Sequence, residues 1–508
     1  MRRGTRLWIA VLCAVAPLVC GCGGTKRAPG DVVFVIESNP ANLDPRFATD
    51  GTTQRIDRLI FSGLVTRDAQ MNLHGDLAES WETPDPLTYA FKLKPGVKFH
   101  DGRALTSKDV KATIDFMIDP ANKSPKRGAF NMIASIETPD DATVVFHLKE
   151  PYSSFLWNME KSAVGIVPAG AGPEFSKKPV GTGPFRFVSQ AQDDAVVLER
   201  NSAAQNGDNS LSSAVERVTF RVVPDAIVRA LELRKGSADV EMSSLSPDMV
   251  PVLAKRQELI VTEEPGTNFA YLGVNFRDPI LAKKEVRQAL AYATDRESLV
   301  SYLLHGQARL ASGILPPNHW AYEGEVKKYG YDPAEAEKLL DAAGYPRGAD
   351  GVRMRLSLKI STQEQARLVG AALQDQWKKV GVALEVRPLE LATLFSDLAK
   401  GNFQLSYSIW VGANNDPDIF SLVFSSDRTP PNGANRGHYK NARVDELVLE
   451  IRREIDMGKR KELCSEMQKI LAEELPYVPM WYVDQVSVHA KDLKVELTPT
   501  GDFDFLGR

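Results

Sequence analysis

Cysteine is scarce in this 508-residue chain: there are four, and three stand within the first 22 residues. Only Cys464 lies in the body, which rules out a disulfide-built scaffold. Long apolar runs are missing too. Past residue 19 nothing approaches the roughly 20 residues that span a bilayer, so the folded body is expected to be soluble. Runs of one charge sign are absent. The 62 basic and 66 acidic residues are dispersed, with a formal net charge of −4. No basic stripe offers nucleic acid a track, so no nucleic-acid partner is expected. Hydrolytic signatures are lacking as well: there is no Gly-x-Ser-x-Gly elbow, no His-Glu-x-x-His, and no cysteine placed with a histidine. His319 and His438 are lone loop histidines without two-ligand spacing, so no metal is expected. Gly181-Thr182-Gly183-Pro184-Phe185 lacks the Lys-Ser/Thr and the following helix of a phosphate loop. It reads as a tight turn, and no cofactor is expected.

What is present begins with an export signal. Arg2, Arg3 and Arg6 precede the apolar run Leu7–Val19, the charged and apolar regions of a secretory leader. Val19-Cys20-Gly21-Cys22 follows and resembles the lipobox of bacterial lipoproteins, in which the acylated cysteine starts the mature chain. Cys22, preceded by Gly21, fits that place. The other reading is a plain signal peptide cut nearby. Acylation at Cys22 would supply a multi-chain anchor, and residues 23–30 would be a flexible tether of at most about 30 Å. Cys464 would then stand alone. Loss of residues 1–21 removes three arginines and no acid, moving the formal charge from −4 to −7. The remaining length suggests about three domains.

Strand and helix signals alternate along the body, so the class is α/β. Asp31–Ile36 reads as a strand, followed by a loop holding Asn39 and two prolines. Ile56, Leu59, Ile60 and Leu64 follow helical spacing, with Gly63 near the helix end. Residues 82–94 and 137–149 repeat one pattern, each a turn then an alternating strand. They are expected in one sheet of a small α/β unit, or else as two unrelated hairpins. Thr106–Asp109 opens a helix between them. Residues 201–214, rich in Ser, Asn and Ala, read as a loop. Strands are expected at 218–223, 269–275, 383–386 and 478–483. Helices are expected at 227–233 (closed by Gly236), 286–293, from Asp295, from Asp332, and at 363–379, 390–400, 443–455 and 458–474.

One stretch carries the candidate site. Residues 403–410 alternate, predicting a strand with Phe403, Leu405, Tyr407 and Ile409 buried and Trp410 on the other face. Val411-Gly412-Ala413-Asn414-Asn415 reads as a tight loop. Asp416 and Pro417 predict the N-cap and first position of a helix. An aromatic at the mouth of a strand-loop-helix suits ligand stacking; it also suits a core tryptophan beside a routine turn. Arg436, in a polar loop, is a candidate for a ligand carboxylate, which a guanidinium binds bidentately; the alternative is a solvated arginine.

An ordered series extends over nearly the whole mature chain: Leu43-Asp44-Pro45, Gly63-Leu64-Val65, Leu77-Ala78-Glu79-Ser80-Trp81-Glu82, Phe99-His100-Asp101-Gly102, Gly181–Phe185, Tyr271…Asn275, Val286-Arg287-Gln288-Ala289, Asp332-Pro333, Asp416-Pro417-Asp418 and Tyr439-Lys440-Asn441. It resembles extracellular solute-binding protein family 5, the peptide- and nickel-binding components of bacterial ABC importers. The resemblance implies a two-lobed periplasmic-binding-protein-like clamshell with an additional inserted α/β domain. Domain I would take 31–45, 177–262 and 487–508, domain II 46–176 and domain III 263–486, with hinge crossings near 263 and 486. It implies a monomer that delivers a small solute, an oligopeptide or peptide-like compound, to a permease driven by a separate ATPase. The protein would be periplasmic or at the cell surface, held by its lipid.

Ligand-binding candidates on this basis are Trp410, Gly412, Ala413, Asn414, Asn415, Asp416, Asn39, Tyr271, Asn275 and Arg436. Peptide-binding members carry an aspartate for the ligand ammonium three residues after the tryptophan. Here that residue is Ala413. Either Asp416 substitutes for it, or the ligand has no free ammonium there. A metal chelate or sugar-like solute, a sensor or scavenger without a permease, and a secreted hydrolase are the competing readings.

Overall fold

The computed structural model describes residues 28–68, 70–191, 195–202, 215–412 and 416–507. The leader, Cys22 and most of the 201–214 loop lie outside them. Among the described residues the largest unit is an eleven-stranded mixed sheet. Its middle is an antiparallel ribbon of two long strands, Leu259–Val274 and Tyr477–Ala490. One end of the ribbon continues through Val240–Met242 to Asp31–Ile36, Arg217–Val222, Ala195–Arg200 and Phe185–Ala191. The other end carries Leu405–Trp410, Met354–Ser361 and Val382–Leu389. The protein is thus a two-lobed α/β structure whose lobes share one sheet.

Glu263 and Val486 lie opposite each other in that ribbon, at the two positions where the crossings are expected. Just beyond, the register slips between Glu264 and Asn268. A Cβ on Gly266 would come within 2.0 Å of the Val483 carbonyl oxygen, so the close approach there requires glycine. Sequence spacing predicts only the far half of each long strand. The polar run Thr262-Glu263-Glu264 and the Pro265-Gly266 pair carry no alternation to read.

A separate four-stranded sheet runs in the spatial order Ala78–Asp85, Thr88–Leu93, Thr143–Leu148, Ile133–Asp140. The internal repeat therefore folds as two hairpins rather than two turn-then-strand units. Residues 82–85 and 137–140, read as turns, lie inside strands, and the reversals fall at 86–87 and 141–142. The inner strands pair directly, Phe91 with Val144. Helix Ser107–Ile118 begins with a capping box of Thr106 and Asp109 and buries Val110, Ile114 and Met117 against this sheet. Helix Gly51–Ile60 ends before Gly63. Gly63 instead marks a close approach, 2.6 Å from a would-be Cβ to the Lys161 nitrogen.

The helix and the four-stranded unit are tied to segment 498–506 by buried charge. Arg58 donates to Glu160 at 2.6 Å and to Asp504 at 2.7 and 3.2 Å. Arg67 reaches Glu160 at 3.1 Å and Asp502 at 2.9 Å, and Lys161 reaches Asp504 at 3.2 Å. Burial alone would raise these carboxyls, but the guanidiniums win. Asp502 is held down to about 2, and Asp504 is lowered as well.

Glu241, in the short strand that pairs with Asp31–Ile36 and Tyr477–Ala490, shows the opposite balance. Burial pushes its carboxyl up to about 7, against hydrogen bonds from the Ser244 amide and hydroxyl. A raised carboxyl contributes fully below its unfolded value near 4.5, and the contribution is lost as pH rises to about 7. Glu241→Gln keeps the acceptor and removes the charge. Its stability advantage over the parent is expected to grow from little at pH 5 to about 3 kcal/mol at pH 8. Urea denaturation at the two pH values checks this, and an equal change at both would contradict it.

Candidate functional site

The site is built on the end of the sheet that holds strand Leu405–Trp410. That strand pairs antiparallel with the first long strand, Trp410 opposite Phe269 and Ser408 opposite Tyr271. Residues 269 and 271 share a face, and their rings stack at 5.6 Å and 9°. Tyr271 also stacks on Tyr477 at 4.0 Å and on Trp410 at 6.4 Å and 12°. Four near-parallel rings thus form a wall, with Phe424 edge-on behind Tyr477 at 5.1 Å. Burial holds the Tyr271 and Tyr477 phenols above their usual range, and the positive charge of Arg436 opposes it.

Arg436 stands over this wall. Its guanidinium lies 5.6 Å from the Trp410 ring centre and 5.3 Å from that of Phe395. The side chain is half-buried, and among the described residues no acid pairs with it. The N–H edge of a guanidinium is what a planar carboxylate meets with two hydrogen bonds. Nearby, Gly412 has a φ of +65° with open space where a Cβ would be, so the chain turns sharply after the tryptophan.

Past this loop the two lobes touch. Asp416 accepts from Arg460 at 2.9 Å and, across the lobes, from the Ser154 hydroxyl at 2.5 Å. Asp418 accepts from Arg452 at 2.7 Å and from the Tyr152 phenol at 2.6 Å. A solute on the aromatic wall would lie beside this junction.

Residues 72–432 match the family described as "Bacterial extracellular solute-binding proteins, family 5 Middle". The chain belongs to this family. Glutathione-binding protein GsiB of Escherichia coli (strain K12) is 30% identical over 500 residues, covering 96% of this chain and 95% of that protein. Among solved structures, NikZ from Campylobacter jejuni in complex with Ni(L-His) is 26% identical, covers 94% of this chain and 98% of its own, and has a TM-score of 0.81. The oligopeptide-binding protein AppA from Bacillus subtilis in complex with a nonapeptide is 26% identical, covers 94% and 99%, and has a TM-score of 0.80. This family 5 protein is the solute-binding component of an ABC importer, a clamshell that holds a small solute between its lobes. No helix among the described residues is long and apolar enough to cross a membrane.

The structure separates the candidates read from the sequence of this family 5 protein. Trp410, Tyr271, Arg436 and Gly412 come together. Asn275 does not join them, because its amide is spent on the Gly401 and Phe403 carbonyls and its oxygen on the Arg277 amide. Asn39 stands half-buried in the loop after strand Asp31–Ile36. Ala413, Asn414 and Asn415 lie outside the described residues, as does Cys22. The helix, Ile419–Phe424, starts later than Asp416 and Pro417 predict, with Asp418 at its N-cap position but no capping bond from that side chain. The Asp416 carboxylate accepts from the Asp418 amide, and its charge is taken by Arg460. Ile409 is exposed rather than buried, because the neighbouring strand pairs only with Leu405 and Ser406 and leaves the end of this strand uncovered.

The loop histidines are engaged as well. His319 is buried, with Nδ1 accepting from the Ala321 amide. Burial and the Arg277 charge lower the His438 imidazole below its usual value. Among the described residues no cluster of His, Cys, Asp and Glu could hold a metal. Sequence reading misses Phe395 and Tyr477. Leu391, Leu394, Phe395 and Leu398 form one helical stripe, yet Leu394 and Leu398 are buried while Leu391 and Phe395 stay exposed. Periodicity cannot separate core from site within a stripe.

Proposed function

We propose that this importer component captures a short anionic peptide of the glutathione kind, seating a ligand carboxylate on Arg436 and its flat or apolar parts on the Trp410–Tyr271 wall. The observation that carries this is Arg436 itself, a half-buried cation with no acidic partner among the described residues, set between Trp410 and Phe395. The similarity to a protein named for glutathione binding supports the same class. Ala413 supports it from the other side: no carboxylate at that position fixes a free amino terminus. The solute is passed on unchanged to a permease and its ATPase.

Isothermal titration with reduced glutathione, its carboxyl-amidated forms and its N-acetyl form tests the reading. Amidation of the carboxylate on Arg436 is expected to weaken binding by about 30-fold or more, and N-acetylation to change it by only a few-fold. Peptides that bind only through a free amino terminus, whatever the state of their carboxylates, would overturn it. We also infer cleavage before Cys22 and acylation of that cysteine, with the mature protein a lipid-tethered monomer outside the cytoplasmic membrane. Partition of the full chain into detergent, lost on Cys22→Ser, checks the anchor. A Cys22→Ser variant that still partitions would refute it.

A further inference from the structure

The junction at Asp416 and Asp418 is built from buried and part-buried polar groups paired with one another. Segment 152–154 comes from the lobe of the four-stranded sheet, while residues 416–418 and the helices Ala442–Arg453 and Met457–Glu474 belong to the other. Tyr152 donates to Asp418 at 2.6 Å and lies under Arg452, whose guanidinium is 5.4 Å from the ring centre. The Ser153 amide donates to the Arg452 carbonyl at 2.8 Å and its hydroxyl to the Ile451 carbonyl at 3.0 Å. Ser154 donates to Asp416 and accepts from Arg460 at 2.9 Å. Ser154 is 2% exposed, Arg460 2% and Asp416 9%, so these bonds form out of water. Charge-assisted hydrogen bonds in such surroundings are the strong ones.

We propose that Tyr152, Ser153 and Ser154 are a closure latch for Asp416, Asp418, Arg452 and Arg460, and that these positioning residues set the protein's affinity without touching the solute. The physical argument is linkage. A ligand that binds only the closed form has its apparent Kd divided by the fraction of protein that is closed. Bonds made only on closure raise that fraction, and they do so equally for every solute.

The test uses the full mature chain with spin labels at Asp85→Cys and Lys461→Cys, one on each lobe, and distances measured by electron–electron double resonance. This readout needs no ligand, so it stands whether or not glutathione is the solute. Ser154→Ala and Tyr152→Phe are each expected to deplete the short-distance, closed population of the ligand-free protein roughly tenfold, as loss of a hydrogen bond to a charged group predicts. Ser154→Thr, which keeps the hydroxyl, restores it. Any solute that binds, reduced glutathione first, should lose the same factor in affinity as the closed population loses. Unchanged distances, or a weakening that differs between solutes, would overturn the latch. So would a variant that loses thermal stability while its lobes stay at the parent spacing.

Discussion

Replacing Arg58 with alanine is expected to cost about 3–5 kcal/mol of folding stability, the usual consequence of removing one partner from a buried charge cluster. Arg58 is 1% exposed and faces three carboxylates, those of Glu160, Asp502 and Asp504. Arg67 and Lys161 are left to balance them. The loss should appear as a lower midpoint in urea with the four-stranded unit and segment 498–506 loosening together, visible as faster amide exchange at Asp502 to Leu506. The pH dependence has a definite sign. Carboxyls held below their unfolded values contribute stability that is complete above about pH 4 and is lost as pH falls toward the value near 2 of Asp502. Acid unfolding of the parent should therefore be steep between about pH 4 and 2, and shallower in Arg58→Ala. A midpoint unchanged at pH 7 would show that the cluster is not the tie described.

Arg436→Ala is expected to weaken binding of an anionic peptide by about 2–5 kcal/mol, roughly 30- to 4,000-fold, if the carboxylate is desolvated on the aromatic wall. The fold should be indifferent, because Arg436 closes no ion pair among the described residues and its loss strands no buried charge. Far-ultraviolet circular dichroism and thermal melting are therefore expected to match the parent. Arg436→Lys keeps the charge but not the two-pronged geometry, so it should fall between the two. Titration with glutathione and with its carboxyl-amidated forms separates the effects: the substitution and the amidation should not add, since each removes the same bond. Additive losses would place the carboxylate elsewhere.

Much of this fold is written in local chemistry. Asp332 caps its helix through the Glu335 amide as the capping pattern implies, Asp295 caps the next by accepting from Ser298, and Gly236 closes a third at a φ of +71°. Each of these signals acts within four residues, which is why it survives without knowledge of the rest of the chain. The candidate site was legible where it obeyed the same rule: Trp410 at a strand end and Gly412 at the turn. Asp416 was legible only in part: its carboxylate makes the local bond to the Asp418 amide that an Asp-Pro start implies, but its charge answers to Arg460 and Ser154, far away in sequence. The ribbon was half legible for a related reason. Its polar middle is held by its partner strand, not by an apolar pattern of its own.

The ribbon of Leu259–Val274 and Tyr477–Ala490 has a mechanical consequence. Loose tethers would let two bodies drift and spin independently. Here the two long strands face each other at Glu263 and Val486, and the register slips just beyond, between Glu264 and Asn268. A plate creased along one line folds along that line and resists every other movement. The jaws should accordingly swing on a single fixed axis, returning to the same alignment after each release, so that every delivery presents an identical face to the machinery waiting in the membrane.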